Sequence, residues 1–135
     1  MSGMTSYLQK KLLDDFFSVA AFTTPNPLYL SLHTGALGDT GSHVNEVSTS
    51  STGYARQSLA SKIGAADATS GIAVNTGTVT FGPATASWGT IQSLGFEDAL
   101  TVGNMCLWGT PSAAKNIGNG QSFPFVASQL SIRFD

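Results

Sequence analysis

Charge is scarce in this chain: six Lys and Arg and eight Asp and Glu make up 10% of its 135 residues, against about a quarter in typical soluble domains. The cations Lys10, Lys11, Arg56, Lys62, Lys115 and Arg133 are dispersed, and only the first two are adjacent. A nucleic-acid backbone is neutralised by several cations on one face, so no nucleic-acid partner is expected. Cys106 is the one cysteine, which excludes an internal disulfide. Within Met105-Cys106-Leu107-Trp108 it reads as a packed thiol, and without a Cys/His cluster no metal and no other cofactor is expected. Long apolar runs are missing too. Lys10, Lys11, Asp14 and Asp15 break the N-terminal stretch well before the ~20 residues of a membrane span, so neither a signal peptide, a transmembrane segment nor a membrane partner is expected.

What is present is apolar and neutral-polar: 41% hydrophobic residues and 15 glycines, with many Ser, Thr and Ala. Disorder needs low hydrophobicity and high net charge, and this chain has neither. Its length suits one domain, residues 1–135, with a real core. A neutral polar surface loses little on being buried against a partner, and interface cores are depleted in charge. Composition therefore points to a protein that works by packing into an assembly.

The apolar rhythm of Leu8, Leu12, Phe16 and Ala20, with Leu13 and Phe17 beside them, predicts an amphipathic helix over about 6–22. Ser6 and Gln9 fit a capping box at its start, and Pro25 and Pro27 bar its continuation. Leu28, Leu30 and Leu32 then alternate with Tyr29, Ser31 and His33, the two-residue period of a strand over 28–34 with one buried face. Residues 35–52, rich in Gly, Ser, Thr, Asp and Asn, read as a loop long enough to be a partner-binding element. Short strands follow from Gly53: around Tyr54 to Leu59, Ile72 and Val74, Val79 to Phe81, Trp88 to Phe96, Asn104 to Gly109, Phe123 to Val126 and Gln129 to Phe134. Turns such as Asn75-Thr76-Gly77 and Asn116-Ile117-Gly118-Asn119-Gly120 separate them. The expected fold is mainly β, an antiparallel β-sandwich or jelly roll of about seven or eight strands with one N-terminal amphipathic helix. Pro83 and Pro124 belong at strand ends or edges.

Catalytic groupings are hard to find. Ser31 and His33 share a strand face, but Ser and Thr are abundant and no G-x-S-x-G elbow accompanies them, so a half-exposed strand histidine is expected. Glu97 and Asp98 are adjacent and would point to opposite faces of a strand, unlike the paired carboxyls of glycosidases. Asp39 and Glu46 lack the spacing of a calcium loop. Gly118 and Gly120 have no lysine in phosphate-binding register. No catalytic residue is assigned, and the chain is expected not to be an enzyme.

The ordered set Ser6-Tyr7-Leu8, Leu12-Leu13-Asp14 and Phe16-Phe17, then Pro27-Leu28-Tyr29-Leu30-Ser31-Leu32-His33-Thr34 and Gly53-Tyr54-Ala55-Arg56-Gln57, resembles a family of small tailed-bacteriophage virion proteins. Val79-Thr80-Phe81, Ala86-Ser87-Trp88-Gly89-Thr90 and the closing Leu130-Ser131-Ile132-Arg133-Phe134 extend the resemblance over nearly the whole chain. Members are often labelled tail-fibre proteins, and a β-sandwich of this size also resembles capsid cement or decoration proteins. The resemblance implies a structural component on the virion exterior, made in the bacterial cytoplasm.

Without repeats or coiled-coil heptads, the chain is expected to be a cement protein binding the major capsid protein or copies of itself as a homo-oligomer. The alternative is a tail or tail-fibre protein that contacts other tail proteins or a host surface glycan, with Trp88, Trp108 or Tyr54 exposed for stacking. Expected partner contacts are Tyr7, Leu8, Leu12 and Phe16 on the helix and Leu37, Val44 and Val47 in the long loop, where isolated aliphatics have no obvious core to join. Arg56 is expected to be an exposed strand arginine of little consequence.

Overall fold

The computed structural model describes residues 2–134; Met1 and Asp135 lie outside the described residues. The chain is mainly β, with antiparallel sheets and one helix, an arrangement consistent with a β-sandwich. The eleven strands among the described residues exceed the seven or eight expected, because Ser2–Met4 and Lys115–Ile117 are added and the expected strand over 88–96 divides into Gly89–Ile91 and Ser93–Glu97, which pair with different partners.

The helix, α1, spans Ser6–Phe16. Its cap is Thr5, one residue before the expected Ser6: Thr5 is extended (φ -73, ψ 157) and its Oγ1 accepts from the Leu8 N–H at 3.4 Å. The same hydroxyl donates to the Met105 carbonyl at 2.6 Å, which ties the helix start to a neighbouring strand. The helix stops at Phe16, short of the expected 22. Ser18 turns left-handed (φ 58), its N–H bonds the Asp15 carbonyl at 3.1 Å and the Val19 N–H bonds Asp14 at 2.8 Å. Those two bonds are a Schellman stop, which satisfies the last carbonyls before any proline is reached.

Strand β1 (Ser2–Met4), unforeseen in the sequence, leads into this helix. With β2 (Tyr29–His33), β3 (Gln57–Ser58), β7 (Ser93–Glu97) and β8 (Met105–Gly109) it forms a five-stranded sheet in the order β1-β8-β7-β2-β3. Register sets Leu30 against Phe96 and Leu32 against Leu94, with Phe96 facing Leu107 across the next pairing. These five apolar side chains belong to the buried core. Three two-stranded pairs complete the β structure: β4 (Ala73–Val74) with β11 (Ser131–Ile132), β5 (Val79–Phe81) with β10 (Phe123–Phe125), and β6 (Gly89–Ile91) with β9 (Lys115–Ile117). Lys115 to Ile117 is therefore a strand where Asn116 and Ile117 were expected to turn, and Ile117 is fully buried.

Aromatic packing links these pairs. Tyr54 stacks on Phe81 (6.0 Å between centroids) and meets Trp88 edge-on (5.6 Å), while Phe125 contacts both Phe81 and Phe123. Asn75, expected in a turn, is wholly buried. Its Oδ1 accepts from the Leu130 N–H at 2.8 Å and its Nδ2 lies 2.9 Å from the carbonyls of Gly77 and Val126. Pro124 sits in β10, whose outer edge is unpaired, as a residue without an N–H requires. No helix among the described residues is long and apolar enough to cross a membrane.

Candidate functional site

The second face of the five-stranded sheet carries Ser31 and His33 on β2 and Ser93, Gly95 and Glu97 on β7. A face of Ser, His and Glu suggests solvent, yet Ser31, His33, Ser93 and Glu97 are all fully buried. The expectation of a half-exposed His33 is corrected. The 35–52 segment lies against it, with His43 reaching Glu97 and with backbone bonds that the Arg56–Glu46 pair holds in place: Thr34 N–H bonds Asn45 O (2.8 Å), Val47 N–H bonds Leu32 O (3.0 Å), and His33 bridges to Glu46. The loop thus pairs with the end of β2 where β3, which pairs only with Tyr29 and Leu30, leaves off. Val47, expected to seek a partner, joins the core instead.

Charged groups under the loop compensate one another. Arg56 is buried, not exposed, and grips Glu46 bidentately, Nε to Oε1 and Nη2 to Oε2 at 2.7 Å each. Its remaining Nη1 donates to the carbonyls of Ala99 and Val102 at 2.8 Å and lies 3.9 Å from Glu97. Planar guanidinium geometry suits such a multiple grip. Tyr54 donates to Glu46 (3.0 Å) and accepts from the Leu32 N–H (3.0 Å); burial first, then Glu46, pushes its phenol upward, so it stays protonated.

Glu97 accepts from Ser31 Oγ at 2.8 Å and pairs with His43 Nε2 at 2.8 Å. Burial pushes its carboxyl up, but His33, His43, Ser31 and the Arg56 charge together hold it below the ordinary range. Because the one Ser31 proton goes to the carboxylate, the His33 Nε2, 2.9 Å from Ser31 Oγ, must be the donor there. Gly95 makes room for this arrangement: a Cβ on it would lie 2.5 Å from Ser31 Oγ and 2.9 Å from Glu97 Oε1.

Ser, His and Glu in contact invite comparison with a catalytic triad. The order is wrong for one: the serine stands between histidine and glutamate, and the His33 Nδ1 that an orienting acid would hold makes no hydrogen bond. The sealed hydroxyl has no exposed atom to present to a substrate. Nor, among the described residues, is any group of three or more His, Cys, Asp or Glu placed to hold a metal ion. Chemically, the cluster fastens loop 35–52 and the Ala99 to Val102 turn to the sheet.

A second feature is apolar and open. Leu13, Phe16, Phe17 and Val19, at the end of α1, are 58%, 81%, 68% and 75% exposed. Beside them a groove of about 300 Å³ runs between the helix and the sheet, lined by Leu8, Leu12, Phe22, Leu28, Ile63 and Phe134 among others.

A family described as "Podophage GP4 fiber I protein gp80" matches residues 3–133. The chain belongs to this podophage fibre protein family. No curated protein matches it. Membership makes it a phage virion structural protein of the tail-fibre type.

For a podophage fibre protein the placement of the expected contact residues matters. Phe16 and Val44 (83%) are exposed, Tyr7, Leu12 and Leu37 are half-buried, and Leu8 and Val47 lie in the core. The helix residues come together along α1; the loop residues do not join them. Trp88, Trp108 and Tyr54, offered for sugar stacking, are 5%, 7% and 3% exposed, with the indoles bonded to Thr52 O (2.8 Å) and Asp39 Oδ1 (3.1 Å). In this fibre-family chain they are core anchors. Cys106 is buried, and burial together with Asp98 and Glu97 pushes its thiol up to about 12, so it packs without reacting. Arg56, Glu46, Glu97 and His43 were missed because their partners lie far away in sequence; only the Ser31 and His33 spacing signalled the cluster.

Proposed function

We propose that this chain is a non-enzymatic structural component of the phage tail fibre, acting through protein packing with other tail proteins. The match to a podophage fibre family over residues 3–133 carries this reading, and it supports the tail-fibre alternative over the capsid-cement role expected from the sequence. Within that alternative, burial of Trp88, Trp108 and Tyr54 favours contact with other tail proteins over a host glycan, since the aromatics offered for sugar stacking are committed to the core. His43 and Glu46 of the 35–52 loop are likewise committed to the buried cluster. The exposed apolar end of α1 and Val44 remain as contact surfaces. Gold-conjugated antibody against this chain, applied to intact particles, should label tails. Labelling confined to heads would overturn the tail assignment.

A further inference from the structure

The helix α1 carries more apolar surface than its own core uses. Leu8 and Leu12 face the domain, but Gln9, Leu13, Phe16 and Phe17, at positions i, i+4, i+7 and i+8, form an adjoining face that is exposed throughout. The charges beside it are ordered in an unusual way. Lys10 and Lys11 come first and Asp14 and Asp15 last, so the last turn holds two acids and no base. Carboxylates there oppose the helix dipole, whose negative end would favour cations.

We infer that this face binds the same face of a second copy of the chain, with the two α1 helices antiparallel about a two-fold axis near Leu13. Reversal of direction is what makes the charge order self-complementary. With the axis at Leu13, Lys10 of each copy comes level with Phe16 of the other, about 3 Å along the helix from that copy's Asp14 and within a lysine's reach. Each acidic C-terminal turn thus receives a cation from the other copy. Parallel pairing would set Lys against Lys and Asp against Asp. Within one chain Lys10 already pairs with Asp14, with the Lys10 side chain 73% exposed, so the two pairs merge into a four-charge rim around Leu13, Phe16 and Phe17. A two-fold interface is isologous, so one sequence feature supplies both halves. The apolar centre with a charged rim is the ordinary anatomy of a protein interface. A single helix pair buries less than the ~800 Å² per partner of a standard interface, so the isolated dimer is weak.

Sedimentation equilibrium of the purified protein tests this. The expected result is concentration-dependent dimerisation that Phe16→Glu weakens by about tenfold or more, with circular dichroism and melting unchanged because Phe16 is exposed. Lys10→Glu should weaken the dimer and Lys10→Glu/Asp14→Lys restore it. Under mild oxidation Leu13→Cys should cross-link to itself and Gln9→Cys should not, Cys106 being buried. A monomer at about 1 mM, where even a weak association shows, would overturn the inference. So would dimerisation insensitive to Phe16→Glu, or a Gln9→Cys cross-link as efficient as that of Leu13→Cys.

Discussion

Glu97 is the residue on which the buried cluster turns. It faces Tyr29 across β2, just where the β7–β8 register shifts between Phe96 and Glu97, and it gathers Ser31, His43 and Arg56. Its carboxyl is held below its ordinary value of 4.5, so its contribution to stability is fully present above that pH and is lost as pH falls through the depressed value. Glu97→Gln should lower stability at pH 7 by about 3 kcal/mol, since it leaves the Ser31 and His43 donors facing a neutral amide and takes from Arg56 the second of its two carboxylate neighbours. It should also flatten the loss of stability below pH 4.5. Denaturant titrations of both proteins at pH 7 and 3.5 check this, and parallel losses would contradict it. The Ser31 and His33 half of the cluster was legible from their two-residue spacing. Glu97 was not, because it lies 66 residues from Ser31 and only strand pairing brings them together.

At the level of elements, helix and loop show how local signals were outrun. Periodicity found α1 and the prolines marked a late stop, but Ser18 adopts φ 58 and closes the helix first. A left-handed serine is strained where glycine is not, so Ser18→Gly should stabilise the protein by about 0.5 kcal/mol, read as a raised denaturation midpoint. The 35–52 segment looked like a free arm from composition alone. Its order depends on a charge pair of which neither member announced itself: Arg56 resembled an ordinary strand arginine and Glu46 a wet loop acid. Arg56→Met should therefore lose hydrogen-exchange protection at Thr34 and Val47, whose N–H groups bond Asn45 O and Leu32 O, while amides between β7 and β8 keep theirs. Equal loss in both places would mean global destabilisation and not release of the loop.

Across the whole molecule, low charge, glycine-rich turns and alternating short apolar runs were enough to give a mainly β antiparallel fold with one helix. They were not enough to find β1 and β9 or to divide Trp88 to Phe96 into β6 and β7, because those features depend on which strand each segment pairs with and not on its own residues. The same limit applies to function. Composition showed a protein suited to packing; membership of a podophage fibre family supplies the virion setting and favours the tail. With both tryptophans, Tyr54 and the polar cluster committed internally, the exposed apolar end of α1 is one of the surfaces left for assembly. The most direct measurement is an electron-cryomicroscopy map of the intact particle. It should show this fold within the tail-fibre region, with Leu13, Phe16 and Phe17 covered by protein; the fold bound to the capsid lattice, or that helix face bare in the assembled fibre, would contradict the account.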